Sequence, residues 1–157
     1  MNDQQRNKLL YVLSILLLFP ALLINLGLMT FIDDEGIRTL VALEMKLSGN
    51  YITPTLHGEF YYNKPPLFNW MLLGYFKVLG QINEFNTRIP TLVSLLGFAA
   101  TVFYSFRKQY GTYTAFVLAM TLITCGRILF WDSLLGLIDI TFSWLVFVQF
   151  MVIYQQF

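Results

Sequence analysis

Long apolar runs separated by short charged stretches dominate the sequence. The run 9–32 carries no charged side chain, and further apolar segments lie near 89–106, 109–126 and 138–156. A helix needs about 20 apolar residues to cross a bilayer, with a range of roughly 17–25. The pattern therefore predicts an all-α, polytopic membrane helix bundle with about four transmembrane helices.

The segment 33–88, between the first two predicted spans, carries shorter helical signals. Asp33 or Asp34 is able to cap a helix, and the Ser-Gly-Asn turn at 48–50 is typical of its end. Two prolines at 65–66 then start an apolar stretch that is shorter than a span and suits an interfacial or re-entrant helix. We expect juxtamembrane helices in this segment.

Composition agrees with a membrane protein and excludes other classes. Hydrophobic residues make up 57% of the chain and charged residues 12%, which leaves too little polar surface for a soluble domain. The net charge of +1 gives no basic field for nucleic acid. The single Cys125 forms no internal disulfide.

Orientation follows from the positive-inside rule, which favours Lys and Arg in cytoplasmic loops. With four spans and a cytoplasmic N-terminus, the following residues all lie in the cytoplasm: Arg6, Lys8, Arg107 and Lys108. The loop 33–88 and the connection 127–139 then share the extracytoplasmic side. The candidate chemistry of the chain is therefore expected in one compartment.

Acidic residues on that side have two interpretations each. Asp34 and Glu35 follow the first span, where a carboxylate can act as general base on an acceptor or serve as a helix cap with favourable dipole charge. Asp132 lies in an apolar neighbourhood, which favours a functional role. Its alternative is an interfacial ion pair with Arg127.

Basic residues are the candidates for binding phosphate. Lys64 precedes the two prolines, so it is either a fixed point charge for a lipid phosphate or a snorkelling anchor. Arg88 marks the outer end of a span, where it could bind phosphate or anchor the helix at the interface. The lone His57 has no second histidine for a typical zinc site.

Several short motifs follow one another in a recognisable order. They are Asp34-Glu35, Leu43-Glu44-Met45, the run 48–54, the Tyr-Asn-Lys-Pro-Pro-Leu run at 62–67, Trp70, and Arg88-Ile89-Pro90. In this order they resemble the N-terminal part of the GT-C glycosyltransferases of the aminoarabinose (lipid A) transferase and protein mannosyltransferase type.

The resemblance implies a multi-pass enzyme of the bacterial inner membrane. Such an enzyme transfers a sugar from a polyprenyl-phosphate donor to lipid A, protein or another acceptor at the periplasmic face. It implies Asp34 as the main catalytic acid, with Glu35 in support and Asp132 as the second acid. It also implies that Lys64 binds the donor phosphate, with Tyr62 beside it.

Two departures from the family pattern limit these expectations. Aminoarabinose transferases carry a Glu associated with metal binding before Lys-Pro-Pro, and this chain has Asn63. A divalent metal ion is therefore a possible cofactor without an assigned site. Family members are also much longer, so the 157 residues are expected to be an N-terminal fragment that is inactive alone.

Other function classes stay open on the sequence. A small transporter or channel subunit would use Asp132 and Asp139 along an ion or proton path, although most acids lie outside the predicted spans. A structural membrane partner with no chemistry would leave Asp34, Lys64 and Asp132 without a shared location. Convergence of these side chains on one extracytoplasmic cleft favours the enzyme.

Overall fold

The computed structural model describes residues 3–154 and 156, and 74% of the structure is helical. The helices are α1 Asp3–Leu23, α2 Glu35–Ser48, α3 Leu67–Leu79, α4 Glu84–Thr124, α5 Gly126–Phe130 and α6 Asp139–Tyr154. A 3-10 turn, Asp132–Leu134, lies between α5 and α6. The short strands β1 Thr55–Leu56 and β2 Glu59–Phe60 pair antiparallel, with Thr55 opposite Phe60. The predicted all-α membrane fold is confirmed.

Among the described residues, two helices are long and apolar enough, by length and composition, to cross a membrane. These are residues Gln5–Leu23 within α1 and the whole of α4. The helices α3 and α6 are apolar but shorter. Much of the apolar surface of α1 is exposed, with Leu16 at 58% and Leu17 at 67%, as expected of a helix that faces lipid or another helix.

The helix α4 is a hairpin of two limbs. Its backbone leaves the helical conformation at Gly111, with φ 83° and ψ 160°, a region that glycine enters at little cost. Leu92 and Ile123, one on each limb, belong to the same apolar cluster, whereas a straight helix would separate them by about 46 Å. The limbs correspond to the segments predicted as separate spans, and their crossing of a membrane stays a prediction.

The first helix ends before its uncharged run does. α1 stops at Leu23, whereas the run continues to Ile32. Beyond the helix, the carbonyls of Leu26 and Thr30 accept hydrogen bonds from Nη1 and Nη2 of Arg88, at 2.7 and 3.1 Å. These backbone groups are satisfied without a helix, so the chain can turn directly into α2.

Both helices predicted in the segment 33–88 are present. α2 ends at Ser48 and is followed by Gly49, whose φ of 70° gives a left-handed cap, and α3 begins directly after the two prolines. Asp34 immediately precedes α2, but its side chain makes no capping hydrogen bond. The carboxylate of Asp34 is therefore not occupied by the end of the helix.

Two apolar clusters hold the helices together. The larger joins α1, both limbs of α4, and α6 through Leu18, Leu22, Leu26, Leu92, Leu95, Ala99, Ala119, Ile123 and Ile140. The smaller joins α2 to α3 through Ala42, Phe68, Leu72 and Phe76. The segment 33–88 is thus a packed part of the fold and not a free loop.

A glycine allows α6 to approach α4 closely. A Cβ at Gly97 would lie 2.5 Å from the ring of Trp144. The same ring donates from Nε1 to Oγ1 of Thr101 at 2.9 Å, and Thr141 donates to Oγ of Ser94 at 2.8 Å. Small residues and interhelical hydrogen bonds of this kind are typical of helix packing in membranes.

Candidate active site

A buried ion pair between Glu35 and Arg88 lies where the start of α4 meets the chain before α2 and the connection before α6. Both side chains are fully buried. Arg88 donates from Nη2 to Oε1 of Glu35 at 2.6 Å and from Nε to Oε2 at 3.1 Å. This is the paired, two-point geometry in which Arg binds a carboxylate most strongly.

The carboxylate oxygens of Glu35 also accept hydrogen bonds from backbone amides. The amide of Ile32 donates to Oε1 at 2.7 Å, and the amide of Gly136 donates to Oε2 at 2.8 Å. Each carboxylate oxygen therefore accepts two hydrogen bonds. The group ties the chain before α2 to the connection before α6, as a structural junction does.

The guanidinium of Arg88 is equally occupied. Its three nitrogens donate to Glu35 and to the carbonyls of Leu26 and Thr30. The residue lies one turn inside α4, and none of its side chain is exposed. The predicted contact between Arg88 and a donor phosphate stays a prediction, and it would have to replace hydrogen bonds that hold the fold.

Asp34, the neighbour of Glu35, has the opposite environment. Its side chain is 46% exposed, and its carboxylate oxygen Oδ2 lies 3.6 Å from Nη2 of Arg38, one turn later in α2. That separation exceeds a hydrogen bond. The preceding Asp33 adopts a φ of 57° and is also exposed. Of Asp34 and Glu35, Asp34 is the acid whose carboxylate is accessible to a substrate.

Arg38 is a residue that the sequence predictions omit. It is 1% exposed, and its Nε and Nη2 donate no hydrogen bond among the described residues. Its guanidinium lies over the ring of Tyr61, 5.8 Å from the centroid, within the range of a cation–π contact. Its helical spacing to Asp34 was visible in the sequence, but its burial was not.

Lys64 and Tyr62 line the same cavity, of about 530 Å³. The other lining residues are Ile52, Thr53, Pro54, Tyr61, Asn63, Pro65 and Pro66. Lys64 is exposed, and within residues 3–154 and 156 no ion pair occupies its ammonium group. The cavity thus offers a cation and aromatic walls to an incoming group.

The cavity and the acids are connected through shared neighbours. Tyr61 lines the cavity and also covers Arg38, which approaches Asp34. Asp34 and Asp132 are not among the residues that line this cavity. The structure therefore brings Lys64 and Tyr62 together directly and relates Asp34 to them through Arg38 and Tyr61.

Asp132 forms the ion pair that was its alternative interpretation. Arg127 donates from Nε to Oδ1 at 3.0 Å, and the two side chains are 73% and 22% exposed. An exposed pair of this kind contributes about 0–1 kcal/mol. Asp132 precedes Gly136 in the same connection, so the junction at Glu35 also fixes the segment that carries it. A catalytic role for Asp132 stays a prediction.

Glu44 organises the loop that leads to the cavity. It accepts hydrogen bonds from Oγ1 of Thr55 at 2.7 Å and from the amides of His57 and Gly58 at 2.6 and 3.3 Å. The Thr55 hydroxyl lowers the pKa of Glu44, against the effect of burial, and the two amides lower it further. In the sequence, Glu44 was noted only within the Leu43-Glu44-Met45 motif of the family resemblance.

The family resemblance raises the question of a divalent metal ion. Among the described residues, no three His, Cys, Asp or Glu side chains form a group that could hold one. The position before Lys64 is Asn63, an amide where the family has a carboxylate. These residues do not fit the family's metal, and the chemistry proposed below uses the side chains of the chain itself.

Comparison with known proteins shows which solved structures share this fold. No protein-family profile matches the chain, and no curated protein matches it significantly. ArnT from Cupriavidus metallidurans in the apo state aligns with a TM-score of 0.78 and 20% identity, over 85% of this chain and 25% of that chain. The chain has the fold of part of ArnT.

A second ArnT structure, bound to undecaprenyl phosphate, gives a TM-score of 0.79 and 20% identity over 86% of this chain and 25% of that chain. The chain thus spans a quarter of ArnT. The resemblance drawn from the motifs is confirmed at the level of the fold.

Proposed function

We propose that this chain is part of a membrane glycosyltransferase that takes a hexosyl or pentosyl group from a polyprenyl-phosphate donor. The observation that carries the proposal is the fold shared with ArnT, of which one structure is bound to undecaprenyl phosphate. The cavity with Lys64 and Tyr62 supports it independently. The acceptor is lipid A, protein or another nucleophile at the same membrane face.

Lys64 is the proposed contact for the donor phosphate. An ammonium group without an ion pair is a suitable point charge for a phosphate, and the prolines at 65–66 hold its backbone at the start of α3. Tyr62 lies beside it in the cavity wall. As the bond between the anomeric carbon and the phosphate oxygen breaks, the charge that develops on the phosphate is stabilised by Lys64.

Asp34 is the proposed general base. It accepts the proton of the acceptor hydroxyl or amine while that group forms its bond to the anomeric carbon. The phosphate leaves with the electron pair of the broken bond, and the configuration at that carbon inverts. Asp34 suits this role because it is half-exposed and makes no cap hydrogen bond. Asp132 is the proposed second acid, freed from Arg127 when substrate binds.

The orientation in the membrane is part of the proposal. We propose that α1, the two limbs of α4, and α6 span the bacterial inner membrane with the N-terminus in the cytoplasm. Arg107 and Lys108, which are exposed near the Gly111 turn, support this by the positive-inside rule. The residues 33–88 and 127–139 then face the periplasm.

Binding of undecaprenyl phosphate to the complete protein in phosphatidylcholine nanodiscs tests the proposal. We expect Lys64→Gln to weaken binding about 10–100-fold, since a hydrogen bond to a charged group contributes about 1.5–3 kcal/mol. Lys77→Gln is the matched control, because Lys77 is an exposed lysine at the other end of α3. Equal affinities for all three proteins, or no binding by the wild type, would contradict the proposal.

A further inference from the structure

The side edge of the Arg38 guanidinium, formed by Nε and Nη2, is buried and unfilled. Both atoms are inaccessible and make no hydrogen bond among the described residues. In Arg88 the same two atoms are those that bind Glu35. The Nε–Nη2 edge of Arg88 is therefore bound to two carboxylate oxygens, whereas the same edge of Arg38 has no such partner among the described residues.

An unfilled buried guanidinium is an unfavourable arrangement for the protein alone. Taking a cation out of water costs several kcal/mol unless hydrogen bonds and an opposite charge compensate. Within the part of the chain that the structure describes, the only acid in an ion pair with Arg38 is Asp34, at 3.6 Å. The ring of Tyr61 contributes a cation–π contact but accepts no hydrogen bond from the edge. A ligand that supplies two acceptor oxygens would satisfy both Nε and Nη2 of Arg38.

We propose that Arg38 is an oxyanion-binding residue whose Nε and Nη2 take two oxygens of a phosphate group. This rests on the proposed function in that the phosphate is assigned to the polyprenyl-phosphate donor. A phosphate matches the spacing of the two parallel N–H groups, which a lysine does not offer. Arg38 is thus a second cation for the phosphate, in addition to Lys64.

Tyr61 connects the buried edge to the cavity. Its ring covers Arg38, and the same residue lines the cavity that contains Lys64. A phosphate held at Lys64 reaches Arg38 when the Tyr61 ring turns aside. Asp34, which approaches the same Nη2, is displaced from Arg38 by the phosphate and becomes free to accept a proton.

Ligand binding to Arg38 variants tests the proposal without turnover. We would measure undecaprenyl phosphate and, separately, inorganic phosphate on the complete protein in phosphatidylcholine nanodiscs. Arg38→Met is expected to weaken the binding of the lipid about 10–100-fold, from the loss of charged hydrogen bonds. Arg38→Lys keeps the charge without the two-point edge, and its affinity is expected to lie between those of Arg38→Met and the wild type.

Two further variants make the test specific. Arg107→Met is the matched control, because Arg107 is exposed and contacts Tyr104 instead; its affinity should equal that of the wild type. Asp34→Asn removes the charge that competes with the phosphate for Arg38, so its affinity should be equal to or higher than that of the wild type. Thermal unfolding of each variant verifies that it is folded.

The outcomes separate the sources of the phosphate. Dependence on Arg38 for the lipid supports the assignment to the donor, whereas dependence for inorganic phosphate alone assigns the site to free phosphate. Affinities of folded Arg38→Met and Arg38→Lys within about threefold of the wild type overturn the proposal. Absence of sugar transfer by a wild type whose phosphate binding depends on Arg38 contradicts the proposed function and not the role of Arg38.

Discussion

Arg88 and Arg38 both have buried guanidinium groups, but the acids that they approach differ in exposure. Arg88 binds a fully buried Glu35 at two points, while Arg38 approaches a half-exposed Asp34 at 3.6 Å. The acids are consecutive in the chain. The saturated pair is positioned to maintain the architecture, whereas the unsaturated pair is the one that we propose for binding a substrate group.

Breaking the saturated pair should have the largest effect on stability. Arg88→Met leaves Glu35 buried and unpaired, and we expect a loss of about 3–5 kcal/mol in the free energy of unfolding. Arg38→Met is the matched substitution in the unsaturated pair. Since Asp34 stays hydrated, we expect no loss there. Denaturant unfolding in detergent measures both, and equal losses would remove the distinction between the two arginines.

Gly136 tests the junction from its backbone side. A Cβ at Gly136 would lie 2.7 Å from Cγ2 and 3.0 Å from the carbonyl oxygen of Thr87, which would force apart the segments that Glu35 joins. Gly136→Ala should lower the free energy of unfolding by about 1–3 kcal/mol. Gly126→Ala is the control, because a Cβ there meets nothing within 4 Å; a similar loss in both would argue against the junction.

Glu44 extends the comparison to a half-buried carboxylate near the surface, where the effect should be smallest. Its pKa is lowered below the ordinary value of 4.5, so its contribution to the loop is present above that pH and is lost as the pH falls through the lowered pKa. The rate of pepsin cleavage near Phe60 in Glu44→Gln, divided by the wild-type rate at the same pH, should therefore be above one at pH 5 and approach one as the pH falls. The same ratio for Glu59→Gln, on the same hairpin, should be close to one throughout, and a Glu44→Gln ratio that does not change with pH would contradict the role.

Local patterns predicted the two helices of the segment 33–88, because helix starts and ends depend on neighbouring residues. The end of α2 before Gly49 and the start of α3 after two prolines follow from turn chemistry. The position of Lys64 beside Tyr62 follows from their closeness in the chain. These features could be predicted from sequence alone.

Contacts between residues distant in the chain could not be predicted from the sequence. Glu35 and Arg88 are far apart in the chain, and the uncharged run up to Ile32 gave no sign that carbonyls in it accept hydrogen bonds from Arg88. The interaction of Arg127 with Asp132 was foreseen as an alternative, since five residues separate them. The burial of Arg38 could not be predicted, because it depends on residues distant in the sequence, among them Tyr61.

The most direct test of the central distinction compares Asp34→Asn with Glu35→Gln in the complete protein. Both remove one negative charge from consecutive acids. Sugar transfer is measured in nanodiscs with polyprenyl-phosphate-linked sugars, after the wild type has established which donor is used, and thermal unfolding is measured on the same samples.

We expect Asp34→Asn to lower the transfer rate about 10²–10⁴-fold, the usual contribution of a general base, at an unchanged unfolding temperature. We expect Glu35→Gln to lower the unfolding temperature, since the charge that Arg88 requires is lost. Full transfer activity in Asp34→Asn, or an unchanged unfolding temperature in Glu35→Gln, would contradict the distinction between the two acids.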